Sequence, residues 1–198
     1  TRLHPLTLSI WTRMKTKILG TFVLGAIGLA SYSASASDGT INFSGSITNQ
    51  TCSINGALAD GNRNFTVTLP RTPQSALAPI NSVAGETPFS IVLTGCSPAS
   101  GTVATRFESG ATVDSSTGEL LTSGLGSSAS LHIQLLNEAR GVIVIGAPDV
   151  SQNSTPKGIA ADGSATLNYF ARYKRTATTP ALGVGAVTSS VTYSLVYN

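Results

Sequence analysis

The chain has 198 residues, with 12 lysines and arginines, nine acidic residues and a formal net charge of +3. Only 11% of its residues are charged. Four of the basic residues (Arg2, Arg13, Lys15 and Lys17) lie ahead of every acidic one, so the positive excess belongs to the N-terminal segment and gives no argument for a nucleic-acid partner.

That segment has the layout of an export signal. Met14-Lys15-Thr16-Lys17 is a short basic start, Ile18 to Ala30 is an apolar run, and Ala34-Ser35-Ala36 is a small-residue cleavage site. The three parts predict a secretory signal peptide over residues 14–36. The apolar run falls short of the roughly 20 residues that a bilayer-spanning helix needs. Residues 1–13 precede the only methionine and read as an over-extended translation start. Cleavage after Ala36 would leave residues 37–198, the length of one domain, with net charge −1 from eight basic and nine acidic residues. A Ser-, Thr-, Gly- and Ala-rich chain of this kind suits a β-rich secreted structural protein better than an enzyme. Behind a signal peptide, Cys52 and Cys96 predict one structural disulfide. Their separation of 44 residues matches neither a redox Cys-x-x-Cys pair nor close-spaced metal ligands.

Along the mature chain the dominant period is two. Ile41, Phe43, Gly45 and Ile47 alternate with polar residues, followed by Phe65, Val67 and Leu69, then Phe89, Ile91 and Leu93, then Leu131, Ile133 and Leu135, and finally Val191, Tyr193, Leu195 and Tyr197. Alternation built from β-branched and aromatic residues predicts half-buried strands. Turn-rich stretches at 55–64, 70–88, 97–101, 109–130 and 148–163 separate them, which indicates an all-β sandwich or barrel. A helical turn is expected within Gln74 to Ala78, and Gly146 to Asn153 is ambiguous. The Ser/Gly-rich stretch 109–130 reads as a long surface loop enclosing a weak strand.

Catalytic chemistry finds little support. His132, the one histidine after Ala36, alternates onto the polar face beside Gln134 and reads as a solvated strand residue; no nucleophile motif accompanies it. Ser154-Thr155-Pro156-Lys157 matches a Ser-x-x-Lys pattern without its companion motifs. Gly124-Leu125-Gly126-Ser127-Ser128-Ala129 resembles a dinucleotide fingerprint without the strand–turn–helix context that gives it meaning. Arg172, Lys174 and Arg175 form the one basic cluster, read as charges guarding an edge strand. No cofactor and no metal site is expected.

The two ends carry the functional signal. Gly39-Thr40-Ile41-Asn42-Phe43-Ser44-Gly45-Ser46-Ile47, followed by Cys52, resembles the leading segment of chaperone–usher pilins. The C-terminus is similar to that family's chaperone-recognition motif, with Gly185 at the fourteenth position from the end and the alternating Val191, Tyr193, Leu195 and penultimate Tyr197. Tyr169-Phe170-Ala171-Arg172-Tyr173, Leu69-Pro70 and the stretch from Thr87-Pro88-Phe89 to Cys96 look closest to the serotype-type major fimbrial subunits.

The resemblance implies an immunoglobulin-like sandwich that lacks its last strand, with a donor extension at 37–47 and a pilin domain at 48–198. It implies that Ile41, Phe43 and Ile47 are inserted into a neighbouring subunit, with Gly45 where a side chain has no room. The implied partners are copies of itself or related pilins, a periplasmic chaperone and an outer-membrane usher. The implied destination is a fimbrium at the cell surface. The alternative within the resemblance is a minor, adaptor or tip-associated adhesin subunit that binds a host-cell receptor. Cleavage after Ala36 leaves only Ser37 and Asp38 before Gly39, a short extension for a major pilin; cleavage after Ala30 would lengthen it.

Overall fold

The computed structural model describes residues 51–56, 63–126 and 129–198. All of them belong to one compact unit, Gly45–Asn198. The predicted leading strand from Gly39 to Ile47 and the signal segment lie outside the described residues.

Two sheets share one core. The larger contains β1 (Thr51–Ile54), β2 (Val83–Ser97), β4 (Val113–Asp114), β5 (Glu119–Leu121), β6 (Leu131–Asn137) and β8 (Ala165–Arg175), in the order β1-β2-β8-β6-β5-β4. The smaller has β3 (Thr102–Phe107), β7 (Lys157–Gly158) and β9 (Tyr193–Tyr197), in the order β7-β3-β9. Every pairing is antiparallel. The period-two pattern explains how they stack: Ala165, Leu167, Tyr169 and Ala171 of β8 point inward with Ile91 and Leu93 of β2 and Ile133 and Leu135 of β6. From the other layer Val103 and Phe107 of β3 meet them, the Phe107 ring standing edge-on to Tyr169 at 5.3 Å between centroids. Such aromatic pairs add about 0.5–1.5 kcal/mol beyond the area they bury.

The predicted disulfide is present. Cys52 and Cys96 join β1 to β2, and closing a loop of this size contributes roughly 4 kcal/mol in the chain-entropy picture. The expected helical turn forms as a 3-10 helix at Gln74–Leu77. The ambiguous stretch holds α1 (Asp149–Gln152). Stretch 109–130 contains two short strands, β4 and β5, rather than one.

Three expectations need correcting. Residues 65–69 keep their alternating pattern but belong to no ladder, because a strand needs a partner backbone about 4.8 Å away and this segment borders an open groove instead. The basic cluster does not guard an edge: β8 lies between β2 and β6, in the interior of the larger sheet. There Lys174 donates to Glu119 Oε1 at 2.6 Å, Arg172 donates to Gln134 Oε1 at 2.6 Å, and Arg175 donates to the carbonyl of Thr178 at 2.7 Å. Nor is His132 solvated. It is 5% exposed, paired in register with Lys174, and its Nδ1 lies 3.3 Å from Glu119 Oε2. Alternation turns it away from the core, but long cross-strand neighbours in the middle of a wide sheet bury it in a polar network.

Candidate functional site: an open groove beside the C-terminal strand

β9 is an edge strand. One side pairs with β3, from Val103↔Tyr197 to Phe107↔Tyr193; its other side has no ladder partner among the described residues. Across from that free side runs the unladdered segment 63–69. Between the two lies a groove of about 980 Å³. Its floor is the apolar interior itself, including Ile91, Phe107, Leu120, Ile133, Leu135 and Ala171. Its walls are Phe65, Val67 and Leu69 on one side and Val191, Tyr193, Leu195 and Tyr197 on the other. Phe65 is 40% exposed although it sits 6.3 Å from Phe89 and 6.2 Å from Tyr193 between ring centroids. The Tyr193 hydroxyl donates to the Arg63 carbonyl at 3.0 Å and ties the two walls together at one point.

The polar groups of the groove are few. Partial burial pushes the Tyr173, Tyr193 and Tyr197 hydroxyls above their ordinary pKa; the charge of Arg63 pulls back on the last two. Among the described residues lining the groove, Arg63 is the one charged side chain. No group of three or more His, Cys, Asp or Glu residues suited to a metal ion occurs among the described residues.

Of the residues singled out at the C-terminus, Val191, Tyr193, Leu195 and Tyr197 line the groove and Gly185 does not. Gly185 has φ +141°, and a Cβ there would lie 2.8 Å from that of Leu125. It belongs to a loop contact in which the Gly126 amide donates to the Ala186 carbonyl at 2.9 Å, and Ser123 and Thr188 exchange backbone hydrogen bonds at 2.8 Å. That contact anchors residues 185–188 beside β5 before the chain crosses to the smaller sheet as β9. It also explains the Gly124–Gly126 pattern: a Cβ on either glycine would lie 2.5 Å or less from a carbonyl oxygen across the contact. Close backbone approach, rather than phosphate binding, requires these glycines. Sequence reasoning missed the far wall and Arg63. The alternation of 65–69 was a usable signal for the wall, but it was read as a paired strand.

The type-1 fimbrial protein family model, described as "Type-1 fimbrial protein, A", matches residues 69–198, most of the sandwich and the whole of the C-terminal wall. The chain belongs to this family. The major fimbrial subunit SMF-1 of Stenotrophomonas maltophilia is 44% identical over 87% of this chain and 99% of its own length. The F17 fimbrial protein of Escherichia coli is 38% identical over 89% of this chain and 97% of its own. The serotype 2 fimbrial subunit of Bordetella pertussis is 32% identical, with 87% and 92% covered. Among solved structures, the P pilus rod subunit PapA superposes with a TM-score of 0.53 at 22% identity, over 75% of this chain and 99% of that one. A subunit from a chaperone–usher pilus structure gives the same TM-score at 20% identity, over 82% of this chain and 96% of that one. The fold is therefore the immunoglobulin-like sandwich of the chaperone–usher pilins. The fimbrial subunit is a structural protein of an extracellular pilus, polymerising with other pilin copies, and not an enzyme.

Proposed function

We propose that this fimbrial subunit polymerises by donor-strand exchange, as a major subunit. The observation that carries the reading is the groove: an apolar floor bordered by a strand whose outer edge has no ladder partner among the described residues. An exposed edge and an exposed core are aggregation hazards that a soluble protein must cover. Strand addition covers both at once, since backbone hydrogen bonds complete the edge while alternate side chains fill the floor; pilin complementation is an established instance. The alternating Gly39 to Ile47 segment supplies a strand of the right character, with Ile41, Phe43 and Ile47 as the inserted side chains and Gly45 at a close approach. Burying three large apolar side chains contributes on the order of 5–8 kcal/mol before ordering costs.

In this scheme residues 14–36 direct export, a periplasmic chaperone fills the groove first, and an outer-membrane usher hands the subunit to its neighbour. Residues 37–47 are the donor and 48–198 the acceptor domain. Val191, Tyr193, Leu195 and Tyr197 serve chaperone and donor in turn, while Gly185 shapes the loop that delivers them. Any receptor on a host cell would be met by the assembled fimbrium. The test is to express the gene with its chaperone and usher after deleting residues 37–47. Subunit should still be recovered with the chaperone from the periplasm, and electron microscopy should find cells without filaments. Filaments of normal abundance would overturn the reading.

A further inference from the structure

The two ends of the sandwich differ. Thr51, the first residue of β1, pairs with Ser97; the Cys96 amide donates to the Gly163 carbonyl at 2.9 Å, and Thr102 and Asn198 exchange backbone hydrogen bonds at 2.8 and 2.9 Å. Residues 97–101 and 163 therefore lie at the Thr51 end, where the sandwich joins the segment 37–47. The loops after β5 and β8 lie at the opposite end, since Leu121 pairs with His132, His132 with Lys174, and Lys174 with Val83 at the start of β2. Residues 121–130 and 176–188 hold no charged side chain. Leu125 is 84% exposed there and Val184 81%. The two loops touch so closely that a Cβ on Gly183 would collide with the Leu125 carbonyl oxygen. An uncharged tip that exposes large apolar side chains has the composition of an interface core, where charges are depleted.

What covers the tip follows from the direction of an inserted strand. β9 runs from the uncharged end toward the Thr51 end, because Tyr193 pairs with Phe107 and Tyr197 with Val103. A donor parallel to β9 would emerge at the acceptor's Thr51 end, where the acceptor's own extension departs, and a third subunit could not add in line. An antiparallel donor emerges instead at the uncharged end, beside Val187, which lines the groove three residues after Val184. Unlike ends then meet, and the contact repeats without closing, as a head-to-tail filament requires. Only Thr48, Asn49 and Gln50 separate Ile47 from Thr51, a reach of about 14 Å at full extension. So short a link holds the body of the donor subunit against the acceptor's uncharged end. We propose that Leu125 and Val184 seat on the Thr51 end of that second copy, against its uncharged turn 97–101, in which Pro98 and Ala99 are exposed. The contact rests on the donor-strand reading and adds a second interface to it. The strand joins the two subunits, and the apolar tip fixes the angle between them, which a three-residue link alone leaves open.

The test places the photo-crosslinker p-benzoylphenylalanine at position 125, and separately at 184, in the full chain expressed with its chaperone and usher. Irradiated filaments should yield a ladder of covalent multimers, with the cross-link mapped by mass spectrometry to residues 97–101 or 160–163 of the next subunit. Assembled filaments that cross-link elsewhere on the neighbour, or not at all, overturn the contact. Where the bulky analogue itself blocks assembly, the double variant Leu125→Glu with Val184→Glu decides. Both positions are exposed, so chaperone-bound subunit should be recovered at the wild-type level, while two carboxylates forced into an apolar contact should lower the yield of sheared filaments about tenfold. A yield equal to wild type overturns the contact. Phe43→Asp separates the two levels. If it assembles normally, donor-strand exchange itself is wrong. If it abolishes filaments while wild-type filaments carrying the analogue show no cross-link between subunits, only the end-to-end contact is wrong.

Discussion

Gln152 is 1% exposed, and its side-chain amide closes both backbone groups of Phe107: the Phe107 amide donates to Oε1 at 2.7 Å, and Nε2 donates to the Phe107 carbonyl at 2.9 Å. It does for the end of β3 what a neighbouring strand would do. Phe107 is the residue whose ring meets Tyr169 at the centre of the core, so the hydrogen bonds hold a core aromatic in place from the side. Replacing Gln152 with leucine keeps the volume and strands the buried Phe107 amide, while the Phe107 carbonyl keeps the Gly146 amide as a donor at 3.2 Å. With one buried group left unpaired, the expected loss is about 1–3 kcal/mol. Urea unfolding of a single chain in which residues 37–47 are repeated after Asn198 would measure it. A midpoint unchanged from wild type would mean that water replaces the amide without cost. Nothing in the sequence marks Gln152, because its role depends on a partner 45 residues away. The same holds for Glu119, 3% exposed, which accepts from Gln134 at 2.8 Å and Lys174 at 2.6 Å.

Elements whose pattern is their own cause were legible; those defined by a neighbour were not. Phe89 to Leu93 and Leu131 to Leu135 fall inside strands β2 and β6, because burial on one face writes the alternation directly; Tyr169 to Tyr173, inside β8, was marked by the family resemblance instead. The segment 65–69 has the same alternation for another reason, since its apolar residues face an open groove and no ladder forms. β3 went unrecognised although Val103, Thr105 and Phe107 are all buried, its alternation weakened by Thr105 at an inward position and Ala104 at an outward one. Charges at Arg172 and Lys174 suggested an edge, but in the interior of a sheet they pair across strands with Gln134 and Glu119. The Gly124–Gly126 loop shows the same dependence on context. An added Cβ at Gly126 would lie 2.4 Å from the Gly185 carbonyl oxygen, while at Gly110 it would meet nothing within 4 Å. Gly126→Ala should therefore cost about 1–3 kcal/mol, as overpacking does, and loosen the anchor of residues 185–188. Gly110→Ala should be close to neutral. Amide exchange at Ser123 and Thr188, compared between the two variants, tests this directly. Equal protection in both would show that the loop contact shifts without loss.

At the scale of the molecule, the sandwich has a core that its own described strands leave uncovered on one side. The disulfide near one end of β2 and the wide sheet of six strands stabilise the larger layer. Among the described residues the smaller layer has three strands and ends at the unpaired side of β9. A strand that binds only the folded state should raise stability by mass action, about 2.7 kcal/mol at a hundred times its dissociation constant. For a domain of this size each kcal/mol moves the melting midpoint by about 2–4 °C. A synthetic peptide of residues 37–47 added to the chain shortened to residues 48–198 should thus raise the midpoint by roughly 5–11 °C, with the rise growing with peptide concentration. A peptide with Gly45→Trp should give no such rise if, as proposed, Gly45 sits where the floor leaves no room for a side chain. A Phe43→Asp peptide should fail for the opposite reason, since the proposed insertion would bury a charge in an apolar floor without a partner. The two failures separate shape from chemistry. If both altered peptides stabilise the domain as well as the native one, their binding lies elsewhere than the groove, and the missing strand must be sought outside residues 37–47.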